Sequence, residues 1–407
     1  MAGPGIRVWE IGKVLTRDNK AAITIPSDSG LTWPNLTFIK RTYLDVFKAI
    51  FDNDIIIFPI YSLDLIMLFV ARLLRKKIVI DAYFVPLFEN LEKYAHSPKL
   101  RDLVVKISKL RTRALLLAAD LVLCASERQR GYWLEQLAAF GRIAVNVLLV
   151  PTGIRGARPV KKHNLIKGVV PGIFKDDKVV LWASGLWPWL DPQTAIRALE
   201  MIKDEKIKLV FFGTKAVDEH FKGEANEPVV QAIRLAREMG LLNKRVFFIE
   251  QRVPYDEIAD YLLEADVALN LHYDNLETRY AYRTRLLDYI WAGIPIVTTK
   301  GDVLSEEILK HGLGLVIDPG DTNGASQAIN KLLNDQVWRG QSRQAMADYA
   351  KKITWDKVSE PLCRYIARPQ VAKDNKRFLN TGRICLGLSA FYGLSLLFLA
   401  AKKFSQS

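Results

Sequence analysis

Residues 270–302, NLHYDNLETRYAYRTRLLDYIWAGIPIVTTKGD, gather side chains that handle anions and hydroxyl groups. His272, Glu277, Arg279, Arg283, Arg285 and Asp288 all lie between two apolar segments. Arginines at the start of a helix add to the positive end of its dipole and attract phosphate. A carboxylate one turn further in can accept hydrogen bonds from sugar hydroxyls. Arg285 and Asp288 stand three apart, so the competing reading is a solvated helix end with an internal salt bridge.

The flanking sequence predicts the elements that would position these groups. Residues 266–271 read as a buried strand. Residues 282–292 have helical spacing, with Leu286, Leu287, Ile290 and Trp291 on one face. Gly293 stops that helix, Pro295 forbids its continuation, and 296–299 reads as the next strand. Strand, loop, helix, strand is one βαβ unit of a parallel sheet. Such sheets bind ligands at the carboxyl ends of their strands.

The segment DYIWAGIPIV, beginning at Asp288, resembles the donor-site helix of the family 4 glycosyltransferases of the GT-B fold. Their pattern is a glutamate, seven residues, a second glutamate, then a small-residue helix ending in Gly-x-Pro. The second glutamate binds the nucleotide ribose, and its place is Asp288. The first falls on Tyr280, which cannot do a carboxylate's work; Glu277, three residues earlier, is the substitute at hand. The Arg-Thr-Arg before the aspartate resembles a branch associated with bacterial surface polysaccharide synthesis. The resemblance implies an α/β chain of two Rossmann-like domains facing a cleft. It also implies a nucleotide-sugar co-substrate, retention of anomeric configuration, no metal and no separate cofactor.

Composition agrees with an enzyme of that size. The chain has 407 residues, enough for two domains, with 50% hydrophobic and 25% charged residues, which excludes general disorder. Its net charge of +14 suits a phosphorylated ligand or an anionic membrane. No zinc-finger spacing or RNA-binding signature is present, so nucleic acid ranks last. Cys124, Cys363 and Cys385 are scattered and odd in number, which points to a reducing compartment and no metal site.

The N-terminal part, 1–154, reads as the acceptor-side domain. Gly3, Gly5 and Arg7 open a helical pattern, as a phosphate-approach loop would, but no strand precedes them. The first strand of the family's N-terminal domain is therefore expected to be missing, with an in-frame apolar strand encoded upstream. A nicotinamide dehydrogenase rests on these glycines alone. Strands are expected at 21–26, 54–60, 77–82, 120–124 and 146–150. Asp81 lies at the carboxyl end of the third of these and Glu89 beyond it, and they are the acceptor-side acids to test; each could equally be a cap or a surface charge. A basic amphipathic helix at 99–119 suits either solvent or an anionic lipid surface.

A basic linker is expected at 155–175 and the donor domain at 176–354. After the strand 178–183 comes Ser-Gly-Leu-Trp-Pro-Trp-Leu-Asp, 184–191. The family's diphosphate-binding Arg and Lys are absent from this loop. Gly185, Trp187 and Trp189 are left to shape the donor pocket, and Lys215, after the strand 207–212, to supply charge. His272 and Arg283 complete the donor set, and Asp81, Glu277 and Arg285 the catalytic one. A helix at 355–368 resembles the family's return to the first domain. Residues 369–407 hold a basic run and then ICLGLSAFYGLSLLFLAA, 384–401, about 18 apolar residues, near the lower limit for a membrane-spanning helix. The expectation is a single C-terminal anchor, a cytoplasmic-face enzyme and a lipid-linked or polysaccharide acceptor. The alternative is a catalytically inactive, glycosyltransferase-like membrane scaffold.

Overall fold

The computed structural model describes residues 3–25, 32–213, 227–249, 253 and 257–374. The chain divides into two compact units. One comprises Arg7–Leu91, His96–Pro151 and the residues from Ser359 on; the other comprises Met1–Ile6, Glu92–Ala95 and Thr152–Val358.

The first unit contains β1 (Ala21–Ile25) and β2 (Leu36–Lys40), a parallel pair. It also contains β3 (Ile55–Pro59), β4 (Lys77–Asp81), β5 (Leu121–Cys124) and β6 (Asn146–Leu149), a parallel sheet in chain order. Ile78, Val79 and Ile80 of β4 are fully buried, as expected for a parallel strand covered on both faces. The strand β2 has no counterpart in the sequence reading. It is short, and it follows a left-handed turn at Asn35 that propensity alone does not reveal.

The second unit is a six-stranded sheet built from β7 (Lys178–Ala183), β8 (Ile207–Phe212), β9 (Val246–Ile249), β10 (Val267–Asn270), β11 (Ile296–Thr299) and β12 (Gly314–Ile317). All neighbours are parallel, and the order is β12-β11-β10-β7-β8-β9. The chain moves outward one way from β7 to β9, then returns to the other side of β7 with β10. That reversal creates a crevice at the carboxyl ends of β7 and β10, the usual ligand position in such sheets. The sheet is fully packed there: Val180, Leu181 and Trp182 of β7 and Val267, Ala268 and Leu269 of β10 are at most 1% exposed. Each such aliphatic side chain contributes roughly 1.5–3 kcal/mol by leaving water.

Residues 155–175 pack onto this unit rather than spanning open solvent. The backbone N–H groups of Leu165 and Lys167 donate to the Glu264 carboxylate at 2.5 and 2.6 Å, and Ile166 is fully buried.

The membrane expectation is corrected. Among the described residues no helix is long and apolar enough to cross a membrane, so a single C-terminal anchor at the cytoplasmic face is not supported. The longest described helix, Pro98–Ala118, carries Lys99, Arg101, Asp102, Lys106, Lys109, Arg111 and Arg113, whose desolvation bars it from a bilayer. The stretch 384–401 lies outside the described residues.

Candidate functional site

The helix Thr284–Ala292 connects β10 to β11 and is locked down by one side chain. The Tyr289 hydroxyl donates to the Leu269 carbonyl at 3.0 Å and accepts from the Ala183 N–H at 2.9 Å. It thereby ties the helix to β10 and β7 at once. Burial pushes the Tyr289 phenol up to about 12, so it stays neutral. Leu286, Leu287 and Ile290 cover the sheet beside it. The helix ends at Gly293, whose φ of +69° is the left-handed turn that glycine adopts without a Cβ penalty.

Arg285 stands in the first turn of this helix and Asp288 one turn on. The Arg285 guanidinium lies 5.8 Å from the Trp182 ring centroid, and its buried Nη1 has no hydrogen-bond partner. Burial, with Arg283 adding to it, pulls the guanidinium down to about 10, still cationic at neutral pH. Burial raises the Asp288 carboxyl to about 7, against the pull of Arg155 and Arg285. Arg285 and Asp288 influence each other electrostatically, but no ion pair joins them among the described residues. The salt-bridged helix end considered above is therefore absent.

Arg283 and Glu277 behave differently. Arg283 donates from Nη1 to Glu277 Oε1 at 2.9 Å and from Nη2 to Oε2 at 2.6 Å, with Thr278 Oγ1 at 3.1 Å. Both residues are about 5% exposed, at 6% and 5%. Glu277, expected as the substitute for the family's first glutamate, is thus held by Arg283 in a buried ion pair. Arg283 is likewise consumed by that pair, although its Nε remains without a partner.

His272 is fully buried after β10. Its Nε2 lies 2.9 Å from Asp302 Oδ2, and Asp302 Oδ1 caps the helix Val303–His311 by accepting from the Ser305 N–H. Its ring fastens the end of β10 to the turn after β11 and is fully buried.

On the other flank of the crevice runs the loop 184–191. Trp187 and Trp189 stack with centroids 5.4 Å apart and planes 5° apart. Trp189 is buried and Trp187 half-buried. The loop is clipped to the extension of β10: the Tyr273 N–H donates to the Trp189 carbonyl at 3.1 Å and the Asp191 N–H to the Leu271 carbonyl at 3.0 Å. Asp191 then caps the helix Pro192–Glu200 through Thr194. Gly185 and Gly213, at the ends of β7 and β8, approach closely; a Cβ on Gly185 would sit 3.4 Å from the Gly213 carbonyl oxygen. They leave a patch of bare backbone beside Trp187. Lys215 lies outside the described residues.

The acceptor-side residues are also rearranged. Gly3 begins the helix Gly3–Leu15 and Gly5 lies within it, so the pair forms no phosphate loop. Arg7 is 1% exposed and clamps Asp81, donating from Nε and Nη2 at 2.8 Å each and from Nη2 to the Val150 carbonyl. Asp81 and Arg7 are thereby held to each other in a buried ion pair. Glu89 sits on the helix Pro86–Lys93.

Sequence reasoning missed Tyr289, Asp302, Asp191 and Arg155. The two aspartates did carry a local signal: each precedes a helix with Ser or Thr three residues later, Asp302 with Ser305 and Asp191 with Thr194. Among the described residues no group of three or more His, Cys, Asp or Glu could hold a metal ion.

Residues 168–353 match the family described as Glycosyl transferases group 1. D-inositol 3-phosphate glycosyltransferase of Corynebacterium diphtheriae is 25% identical over 199 residues, 47% of this chain and 42% of that protein. The alignment thus spans less than half the length of that relative. Among solved structures, WaaG, a glycosyltransferase involved in lipopolysaccharide biosynthesis, superposes with a TM-score of 0.63 at 16% identity, over 91% of this chain and 97% of its own. Sucrose-phosphate synthase of Thermosynechococcus elongatus gives 0.61 at 18% identity, covering 90% and 93%. Anabaena HepE in complex with UDP-glucose gives 0.62 at 17% identity, covering 90% and 96%. At these identities the structural likeness speaks for the fold. The chain accordingly has the α/β architecture of the GT-B glycosyltransferases, and its residues 168–353 are a glycosyl transferases group 1 domain.

Proposed function

We propose that the chain transfers a sugar from a nucleotide-sugar donor to a lipid-linked glycan or polysaccharide acceptor, with retention of anomeric configuration. The observation that carries this reading is the unpartnered, buried Nη1 of Arg285 in the first turn of the Thr284–Ala292 helix. A buried cation without a counter-ion is costly, and an anion at the helix start would complete it. Arg285 binds the donor diphosphate and stabilises it as it leaves, and Asp288 accepts the ribose hydroxyls. Positioning of the donor supplies the rest of the rate. The UDP-glucose complex of HepE supports the donor class, and the role of WaaG in lipopolysaccharide biosynthesis supports the acceptor class.

Calorimetry with a panel of nucleoside diphosphates, and donor hydrolysis by the full chain, test this. Arg285→Ala and Asp288→Ala should each weaken diphosphate binding by about tenfold or more, the order of one charge-assisted hydrogen bond. If both variants bind and turn over donor like the parent, the assignment is wrong.

A catalytically inactive subunit is the second reading. It is favoured by the ion pairs that occupy Glu277 and Asp81, the two acids closest to a catalytic role. Diphosphate binding with slow donor hydrolysis would exclude it.

A further inference from the structure

The loop 184–191 stands where a phosphate-binding loop would need cations, and it holds none: Ser-Gly-Leu-Trp-Pro-Trp-Leu-Asp. It holds a built aromatic surface instead. Trp189 is only 7% exposed and supports Trp187 from behind in a nearly parallel stack. Two backbone hydrogen bonds to the β10 extension and the Leu190–His272 bridge fix the pair in place. The Trp187 Nε1 edge lies beside Gly185, 3.8 Å from where a Cβ would stand, so no side chain separates the indole from the bare ends of β7 and β8. Resting on the donor-binding reading above, we infer that Trp187 is a specificity-determining platform for the donor's sugar ring, stacking on the carbon–hydrogen face of a pyranose while the diphosphate lies over Gly185 and Gly213.

The geometry favours a sugar over a nucleobase. One face of Trp187 is already covered by Trp189, so at most one face remains for a ligand. A pyranose with equatorial hydroxyls offers an apolar face to one surface while its polar groups point elsewhere. The donor sugar is bonded directly to the diphosphate, whereas the base is held away from it by the ribose, so an indole beside Gly185 meets the sugar first. The neighbouring glycines let a phosphate approach peptide N–H groups closely, as the chain of atoms from ring to diphosphate requires.

The test compares a nucleoside diphosphate with its glucose ester on one protein. Calorimetry on the full chain would use UDP, GDP, ADP and dTDP, each with and without glucose. Trp187→Ala should weaken the glucose ester by roughly five- to tenfold, the scale of one aromatic contact, and leave the bare diphosphate unchanged. Trp187→Phe should restore most of the loss. Equal weakening of both ligands would place the base, not the sugar, on the indole and overturn the inference, as would no weakening of either. Arg285→Ala should weaken both ligands alike, so its failure would strike the assignment of Arg285 to the diphosphate and not the platform. If no member of the panel binds the parent protein, both readings fall together. Thermal unfolding of each variant at the parent temperature confirms that the fold is retained; if Trp187→Ala unfolds early, the Trp187→Phe and Trp187→Leu pair carries the comparison.

Discussion

Arg283 and Glu277 meet in a buried, two-pronged ion pair, with nitrogen–oxygen distances of 2.9 and 2.6 Å. They lie six residues apart, across the turn between the short helix Leu276–Tyr280 and the helix Thr284–Ala292. Removing one partner strands the other charge out of water. Glu277→Ala is expected to lower the unfolding free energy by about 3–5 kcal/mol, whereas Glu277→Ala with Arg283→Met should recover much of that. Urea unfolding of the parent and the variants measures it. A base at Glu277 would instead show loss of turnover with stability intact.

That pair also marks the limit of what the sequence discloses. Asp288, Gly293 and the strands β10 and β11 were legible because helical period, a glycine stop and apolar strands are local signals. The two-unit α/β architecture follows from the same signals repeated along the chain. The partners of Glu277 and Asp81 were not legible. Arg283 reaches Glu277 only because the backbone is extended at Ala281, and Arg7 reaches Asp81 across 74 positions. Charged residues look alike in a sequence whether they face a ligand or one another. Trp187 and Trp189 fall between these cases: the missing cations were visible, the stacking was not.

Tyr289 offers a cleaner measure of what holds the site together. Its hydroxyl serves two backbone groups, the Ala183 N–H and the Leu269 carbonyl, at the ends of two different strands. Tyr289→Phe keeps the ring and removes both bonds, leaving two buried polar groups unsatisfied. The expected cost is about 1–3 kcal/mol per group at the upper end, less where water enters. Because the helix carries Arg285, diphosphate affinity should fall as well. Equal stability of the parent and Tyr289→Phe in thermal unfolding would show that the helix is held by its apolar face alone.

The pH dependence of Asp288 gives the last prediction. Its carboxyl titrates near 7 in the folded chain, raised by burial, and near the ordinary aspartate value of about 3.9 when unfolded. Between these values the folded state keeps a proton that the unfolded state has lost. Stability therefore falls as pH rises through that window, and the loss is complete above about 7. Asp288→Asn cannot ionise, so it should show a flatter stability profile from pH 4 to 7 and gain on the parent above neutrality. Ligand binding should run the other way. If the ionised carboxylate accepts the ribose hydroxyls, diphosphate affinity of the parent rises from pH 6 to 8, and binding pulls the carboxyl down toward the ordinary range. Asp288→Asn should lose that rise. Urea midpoints at several pH values and calorimetry at pH 6 and 8 separate the two effects. Parallel stability profiles for parent and variant would show that Asp288 ionises normally in the fold, and a pH-independent affinity would remove it from the ribose.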